Sequence, residues 1–217
     1  MRTPPPCAVL FDWDNTLVDT WPVIHDAMTC TLDAMGAPRW TLEETRSRVR
    51  RSLREAFPEL FGARWEEARD VFYGRFRAIH LEKLAVQPGA EAMLAAFRAR
   101  GCWLGVVSNK MGDHLRREAQ HLGWERFFDR MVGATDAARD KPAPDPVALA
   151  LAGSGVEAGP EVWFVGDTWI DMQCAHNAGC LAVLVRENAP EAIEFKDYPP
   201  RMHFPGCHDL ASFIAGY

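Results

Sequence analysis

The stretch Cys7-Ala8-Val9-Leu10-Phe11-Asp12-Trp13-Asp14-Asn15-Thr16 runs an unbroken apolar segment into two carboxylates one residue apart. The apolar part reads as a buried strand. A strand that ends in Asp-x-Asp-x-Thr points its first carboxylate and the next backbone carbonyl toward one place, and the second carboxylate approaches from the side. Two negative charges held there are costly, so the cluster calls for a cation, a proton or a phosphoryl group.

Outward from this point the same grammar repeats. Cys102 to Val107, Met131 to Ala134, Val162 to Val165 and Leu181 to Val185 are short apolar runs of the kind found in parallel sheets. Between them lie the amphipathic segments Pro88 to Arg100, Met111 to Leu122, Pro146 to Ala152 and Ile170 to Ala178. Gly101, Gly123 and Gly179 stand where helix C-termini require them. The pattern predicts an α/β fold, a doubly wound Rossmann-like parallel sheet.

The interval from Thr20 to Ala85 breaks the rhythm, because it contains no strand pattern and reads as successive helices. Thr20 before Trp21-Pro22 predicts an N-cap with proline in the first turn, and Gly36 predicts the end of that helix. Thr41-Leu42-Glu43-Glu44 is a capping-box signature, and a third helix is expected over Trp65 to Leu84. The expected organisation is a discontinuous α/β core, 1–19 with 86–217, and an inserted α-helical cap, 20–85. Residues 187–206, rich in proline and charge, read as loop before a final helix over Leu210 to Ala215.

The 217 residues suffice for one full core, and a net charge of -6 argues against general affinity for nucleic acid or anionic lipid. No apolar run approaches a membrane span, which predicts a soluble, cytoplasmic protein without a membrane partner. A monomer and a homodimer both remain compatible with the sequence. The six cysteines lack a Cys-x-x-Cys pair and read as reduced packing thiols. Neither Cys174, His176 and Cys180 nor His203, Cys207 and His208 has the spacing of a structural zinc site.

Ligands of open α/β sheets bind beyond the carboxyl ends of the strands. Those ends deliver Asp12 and Asp14, then Ser108 and Asn109, then Lys141 before Pro142, then Gly166-Asp167-Thr168 and Asp171. In this order they resemble the haloacid dehalogenase-like hydrolase superfamily, in its phosphoglycolate phosphatase-like branch with a helical cap after the first strand. The resemblance covers nearly the whole chain. It rests on Phe11-Asp12-Trp13-Asp14-Asn15-Thr16-Leu17, Val106-Val107-Ser108-Asn109-Lys110, Lys141-Pro142-Ala143-Pro144-Asp145-Pro146, and Phe164-Val165-Gly166-Asp167-Thr168 running to Asp171. Asn15 stands where many members have glycine and Ser108 where many have threonine. Arg186-Glu187-Asn188 departs from the glycine and tyrosine segment common in phosphoglycolate phosphatases.

The resemblance implies that Asp12 is a nucleophile forming a phospho-aspartate, which divides one hard displacement into two easier ones. Asp14 is near enough to protonate the leaving oxygen and then deprotonate the attacking water. Asp12, Asp14, Asp167 and Asp171 face the single Lys141, so a phosphate dianion needs a hard divalent cation to approach, and oxygen ligands suit Mg2+. By resemblance the ligands are the Asp12 carboxylate, the Asp14 carbonyl and the Asp167 carboxylate. Asp171, four residues on, is better placed beside metal-bound water or Lys141. Ser108 and Asn109 are expected to hydrogen-bond phosphoryl oxygens, and Lys141 to neutralise the nucleophile and the transferring group.

Plainer readings exist for each fragment. Asp12-x-Asp14 alone is an Asx turn with Thr16 capping a helix, Ser108-Asn109 a helix cap, Gly166-Asp167-Thr168 a turn. Their conjunction favours a phosphatase acting on a small phosphorylated metabolite. In the cap, Arg46, Arg50 and Arg54 share one helical face, while Glu44 with Arg48 and Arg51 with Glu55 have ion-pair spacing. The sharper expectation is that Arg48 or Arg51 holds an anionic substrate. Trp40, Phe57, Phe61, Trp65, Phe72, Tyr73 and Phe76 read as packing of the lobe.

Competing readings are a phosphosugar mutase with the same phospho-aspartate, and a phospho-receiver-like signalling module, which lacks the inserted lobe. A carbon-phosphorus hydrolase needs a cap lysine, for which only Lys83 is available, and a dehalogenase needs neither Asp14 nor a metal.

Overall fold

In the computed structural model of the chain, Ala8–Phe11 forms strand β1. All four of its residues are fully buried. Residues 5–49 and 53–216 are described, with only the backbone of residue 54. Contacts divide the chain into two units, Met1–Val18 with Val86–Tyr217, and Asp19–Ala85.

After β1 come β2 (Val18–Asp19) and four helices, α1 (Trp21–Met35), α2 (Leu42–Arg48), α3 (Leu53–Phe61) and α4 (Trp65–Ile79), then β3 (Ala85–Val86). The remainder alternates: α5 (Ala90–Ala99), β4 (Trp103–Met111), α6 (Gly112–His121), β5 (Arg130–Ala134), α7 (Asp145–Leu151), β6 (Val162–Gly166), α8 (Trp169–Asn177), β7 (Leu181–Val185), β8 (Met202–Phe204) and α9 (Cys207–Ala215). Six strands form one sheet in the order β5-β4-β1-β6-β7-β8, every pairing parallel. β2 and β3 form a separate two-stranded sheet.

The expected α/β doubly wound core is therefore present. β1 is central, with β4 on one side and β6 on the other, and alternate residues face opposite layers. Ala8 and Leu10 join Val147 and Ala150 of α7 and Met172 and Ala175 of α8 in one cluster. On the other face Phe11 meets Phe97 of α5 edge to face at 5.8 Å, and Phe97 meets Trp163 at 6.2 Å. From β1 the chain builds outward through β4 and β5, then crosses to β6, β7 and β8. The strand order thus reverses at β1, the switch point beyond whose carboxyl ends the ligands of such sheets bind. Gly101, Gly123 and Gly179 all take positive φ after helices or turns, as expected of C-terminal glycines.

Two expectations for this unit need correction. The segment 187–206 is not all loop, since β8 adds to β7 in the register Val183↔Met202. It is a three-residue edge strand of half-buried residues between Pro200 and Pro205, too short to show alternation. Arg186 anchors the preceding loop through a two-pronged contact to Glu194 at 2.9 and 2.6 Å, stacked on Phe195. The final helix also starts earlier than expected, at Cys207.

The core of the unit Asp19–Ala85 is built by α1, α3 and α4 through Val23, Ala27, Met28, Leu32, Phe57, Ala68, Phe72, Phe76 and Ile79. Ala68, Phe72, Phe76 and Ile79 fall at helical spacing on one face of α4. Trp40, Phe61, Trp65 and Tyr73 pack around the same cluster. Gly36 ends α1 with φ 68, and the Thr41 box closes as expected: Glu44 N–H donates to Thr41 Oγ1 at 3.1 Å and Thr41 N–H to Glu44 at 2.8 Å.

Thr20, by contrast, makes no side-chain cap, because its ψ of -2 already places it in helical conformation. Helix α3 lay outside the sequence reading, masked by Pro58 in its interior. α4 ends at Ile79, five residues before Leu84. No helix among the described residues is long and apolar enough to cross a membrane.

Candidate active site

The carboxyl end of β1 fixes Asp12, whose backbone N–H donates to Val165 of β6 at 2.8 Å. The chain then turns tightly, with Asn15 N–H to Val18 O and Leu17 N–H to Trp13 O at 3.0 Å. Asn15 adopts φ 65, a left-handed conformation that asparagine tolerates. The turn brings Thr16 back so that its hydroxyl lies 3.2 Å from both Asp12 Oδ2 and Asp167 Oδ1. Thr16 therefore joins two strand ends and does not cap a helix.

Lys141 arrives from the loop after β5, almost wholly buried, through a cis peptide to Pro142. Its ammonium donates to Asp12 Oδ1 at 2.6 Å and to Asp171 Oδ1 at 2.8 Å. Asp171 is held in turn by Thr168, the N-cap of α8, whose N–H and hydroxyl reach Oδ2 at 3.0 and 2.7 Å. Its remaining space is taken by Gly166, where a Cβ would stand 2.3 Å from the Asp171 Cβ. Asp171 is thus a fixed partner of Lys141.

Ser108 and Asn109 lie within the irregular end of β4, where the register to β5 shifts between Val107 and Met111. The Ser108 hydroxyl accepts from Lys110 N–H at 3.1 Å. The Asn109 carboxamide forms a reciprocal pair with the Lys141 main chain, donating to its carbonyl at 3.2 Å and accepting from its N–H at 3.0 Å. The Asn109 side chain thereby braces the lysine.

Burial pushes the Asp12 carboxyl up to about 7; Lys141 opposes this, and Asp171 and Asp14 reinforce it. Burial, then the Asp171 and Asp12 charges, hold Asp167 well above the ordinary carboxylate range. For Lys141 burial acts downward, yet Asp12 and Asp171 outweigh it and keep the ammonium charged. Oxygens of Asp12, Asp167 and Asp171 lie within 4.8 Å of one another. This cluster, crowded and composed only of oxygen donors, fits a hard divalent cation. Of the three, Asp171 is clamped most tightly, with Lys141 on its Oδ1 and two Thr168 donors on its Oδ2, whereas the Asp12 Oδ2 and Asp167 Oδ1 share one Thr16 hydroxyl at 3.2 Å.

Asp14 stands apart from that cluster. Its Oδ1 lies 2.6 Å from Lys110 Nζ, and the same ammonium donates to Glu118 Oε2 at 2.6 Å. The Trp13 indole also donates to Glu118 Oε2, at 2.7 Å. Lys110 and Glu118 escaped the reading of strand ends. A lysine closing a buried strand beside two aspartates was the available signal for the first, whereas Glu118 lies in mid-helix with none.

The cap arginines are placed only in part. Arg48 pairs with Glu44 at 3.4 Å and stacks on Trp40 at 4.8 Å, so its guanidinium is engaged inside its own unit. Arg46 lies over Trp21 at 5.7 Å. Arg51 and Arg50, and the side chain of Arg54, lie outside the described residues. Lys83 pairs with Asp26 at 2.8 Å. Burial pushes the thiols of Cys174 and Cys207 up to about 12 and of Cys180 to about 11, as for protonated packing groups.

Residues 9–185 match the family model described as haloacid dehalogenase-like hydrolase. The chain is 32% identical over 182 residues to a phosphoglycolate phosphatase of Xanthomonas campestris pv. campestris, covering 82% of each. It is 30% identical over 208 residues to the pyrophosphatase PpaX of Listeria innocua, covering 95% of each. In fold it resembles the crystal structure of a putative haloacid dehalogenase-like hydrolase from Bacteroides fragilis, with TM-score 0.86, 23% identity, and 94% and 99% of the two chains covered.

Proposed function

The chain belongs to the haloacid dehalogenase-like hydrolases, and from that premise we propose a magnesium-dependent phosphatase that hydrolyses a small phosphomonoester through a phospho-aspartate on Asp12. The observation that carries this reading is the buried Asp12–Lys141–Asp171 ion-pair chain beside Asp167 at the switch point of the sheet. A nucleophilic carboxylate held by a lysine, with an acid-base carboxylate two residues away on the same turn, matches phosphoryl transfer by a covalent route.

Asp12, aligned by Lys141, attacks phosphorus in line with the leaving oxygen, and Asp14 donates a proton to the departing alcohol. Asp14 then accepts a proton from the water that attacks the phospho-aspartate, and phosphate leaves. The Ser108 hydroxyl donates to the phosphoryl oxygens, and Lys141 offsets negative charge on both the nucleophile and the transferring group. Asn109 and Asp171 keep Lys141 in place. Asp12, Asp167 and the Asp14 carbonyl would hold Mg2+, which supplies positive charge for the dianionic group to enter this acidic crevice. The relatives' names point to a phosphorylated small acid or a pyrophosphate as substrate class.

Asp12→Asn tests the mechanism. It removes the nucleophile while keeping shape, so Mg2+-dependent release of phosphate from p-nitrophenyl phosphate should disappear. Substantial remaining turnover would sink the covalent route. A panel of phosphorylated acids, sugars and pyrophosphate then selects the substrate class.

A further inference from the structure

The Trp13, Glu118 and Lys110 side chains form a buried polar chain that ends on Asp14, and these three have no step in the reaction as described. The Lys110 side chain is 5% exposed and that of Glu118 is fully buried. Replacing a buried ion pair by apolar residues of similar volume is often neutral or stabilising, so stability alone is a poor reason for such a pair in the core. Its geometry supplies a better one. Lys110 sits between Glu118 Oε2 and Asp14 Oδ1, at 2.6 Å from each. Glu118 is itself fixed by the Trp13 indole, and Trp13 is wedged edge to face against Trp124 and Phe128 at 5.9 and 6.2 Å. Trp13 is the residue between Asp12 and Asp14, so the chain anchors the turn and the carboxylate it carries.

We propose that Lys110, tethered by Glu118, is a positioning residue that holds one oxygen of the Asp14 carboxylate and thereby aims the other for proton transfer at the leaving group. This rests on the acid-base role of Asp14 proposed above. Without the tether, the Asp14 side chain loses its fixed rotamer on a turn that must place it within hydrogen-bond reach of the departing oxygen. The groups that Lys110 grips are Asp14 and Glu118, and of these Asp14 alone has a step in the reaction, the proton transfer. The defect should therefore grow with the leaving group's need for a proton.

The test compares kcat/KM, which reports the phosphorylation step, for an alkyl phosphate with that for p-nitrophenyl phosphate, whose leaving group departs without protonation. Lys110→Met should lower the alkyl value about tenfold to a hundredfold more than the aryl value, the scale of a mispositioned acid. Lys110→Arg, which keeps the charge, should restore part of the loss. Lys110→Met leaves Glu118 buried without its cation, so Lys110→Met combined with Glu118→Gln serves as the companion. That pair removes both charges, should melt near the parent temperature, and should keep the same leaving-group selectivity. An equal fall on both substrates, or none, overturns the proposal. Asp14→Asn separates the two levels: if it discriminates between the substrates and Lys110→Met does not, the positioning role fails alone; if neither does, the acid role of Asp14 fails with it.

Discussion

Raising the pH should weaken the metal-free protein, and Mg2+ should reverse the effect. The Asp12 carboxyl is shifted from 3.8 to about 7 by burial, with Asp171 and Asp14 adding to the shift and Lys141 opposing it. A carboxyl whose folded value is raised binds its proton more tightly in the native state. Its contribution is fully present below about pH 4 and is lost as pH rises toward the folded value. A shift of about 3 units at about 1.4 kcal/mol each gives roughly 4 kcal/mol of stability lost between about pH 4 and pH 7. Asp167, displaced in the same direction, adds to the slope. Lys141, displaced upward, contributes throughout this range and leaves the slope unchanged.

For a chain of this length that loss corresponds to roughly 10 °C in melting temperature. A cation that binds only the native, deprotonated site stabilises by mass action, so Mg2+ should raise the melting temperature far more at about pH 8 than at about pH 5. The assay is a thermal melt in chelator and in excess Mg2+ across this range. Asp12→Asn is the control for titrating histidines: it should flatten most of the slope and melt above the parent at about pH 8 without metal. A metal-free stability that stays level or rises from about pH 5 to 7, or an unchanged slope in Asp12→Asn, refutes the reasoning.

Other expectations concern the braces around Lys141. Asn109→Ala leaves the Lys141 main chain without its reciprocal partner, which should cost about 1 to 3 kcal/mol in a urea titration and lower kcat more than KM rises. Equal activity with unchanged stability would remove Asn109 from the support of the lysine. Gly166→Ala sets a methyl 2.3 Å from the Asp171 Cβ and must displace that carboxylate. We expect phosphatase activity to fall at least tenfold while circular dichroism stays native, and near-parent activity would refute this account.

What was legible in advance follows from burial. β1, β6 and β7 are short apolar strands in the interior of a parallel sheet, so their sequences are almost uniformly apolar and visible by composition. β8 is a half-buried edge strand and α3 contains Pro58, so neither carries a period that stands out. At the site, the residue types at the strand ends were readable because each follows its strand directly. The contacts among them were not. That the Asn109 side chain braces Lys141 follows only from their positions opposite each other, 32 residues apart in sequence. Glu118 looked like one more polar residue of α6, and its role emerges when that helix is laid against the turn at Trp13. Thr20 had the right side chain for a cap, but its backbone had already turned helical.

The position of β1 also bears on how the molecule is made. The first strand of the chain sits in the middle of the sheet, yet its partners begin at Trp103 and Val162. As the chain leaves the ribosome, the strand that carries Asp12 therefore waits unpaired while the helical insertion is synthesised. The helices of that insertion share a core of their own, in which the first, α1, packs against the last, α4, so the insertion can fold once α4 has emerged and before β4 is made. The acidic crevice comes into being only after Asp171 has emerged. Asp12, Asp167 and Asp171 thus stay apart and hydrated for most of synthesis, and their mutual repulsion arises at the moment the sheet closes on β6.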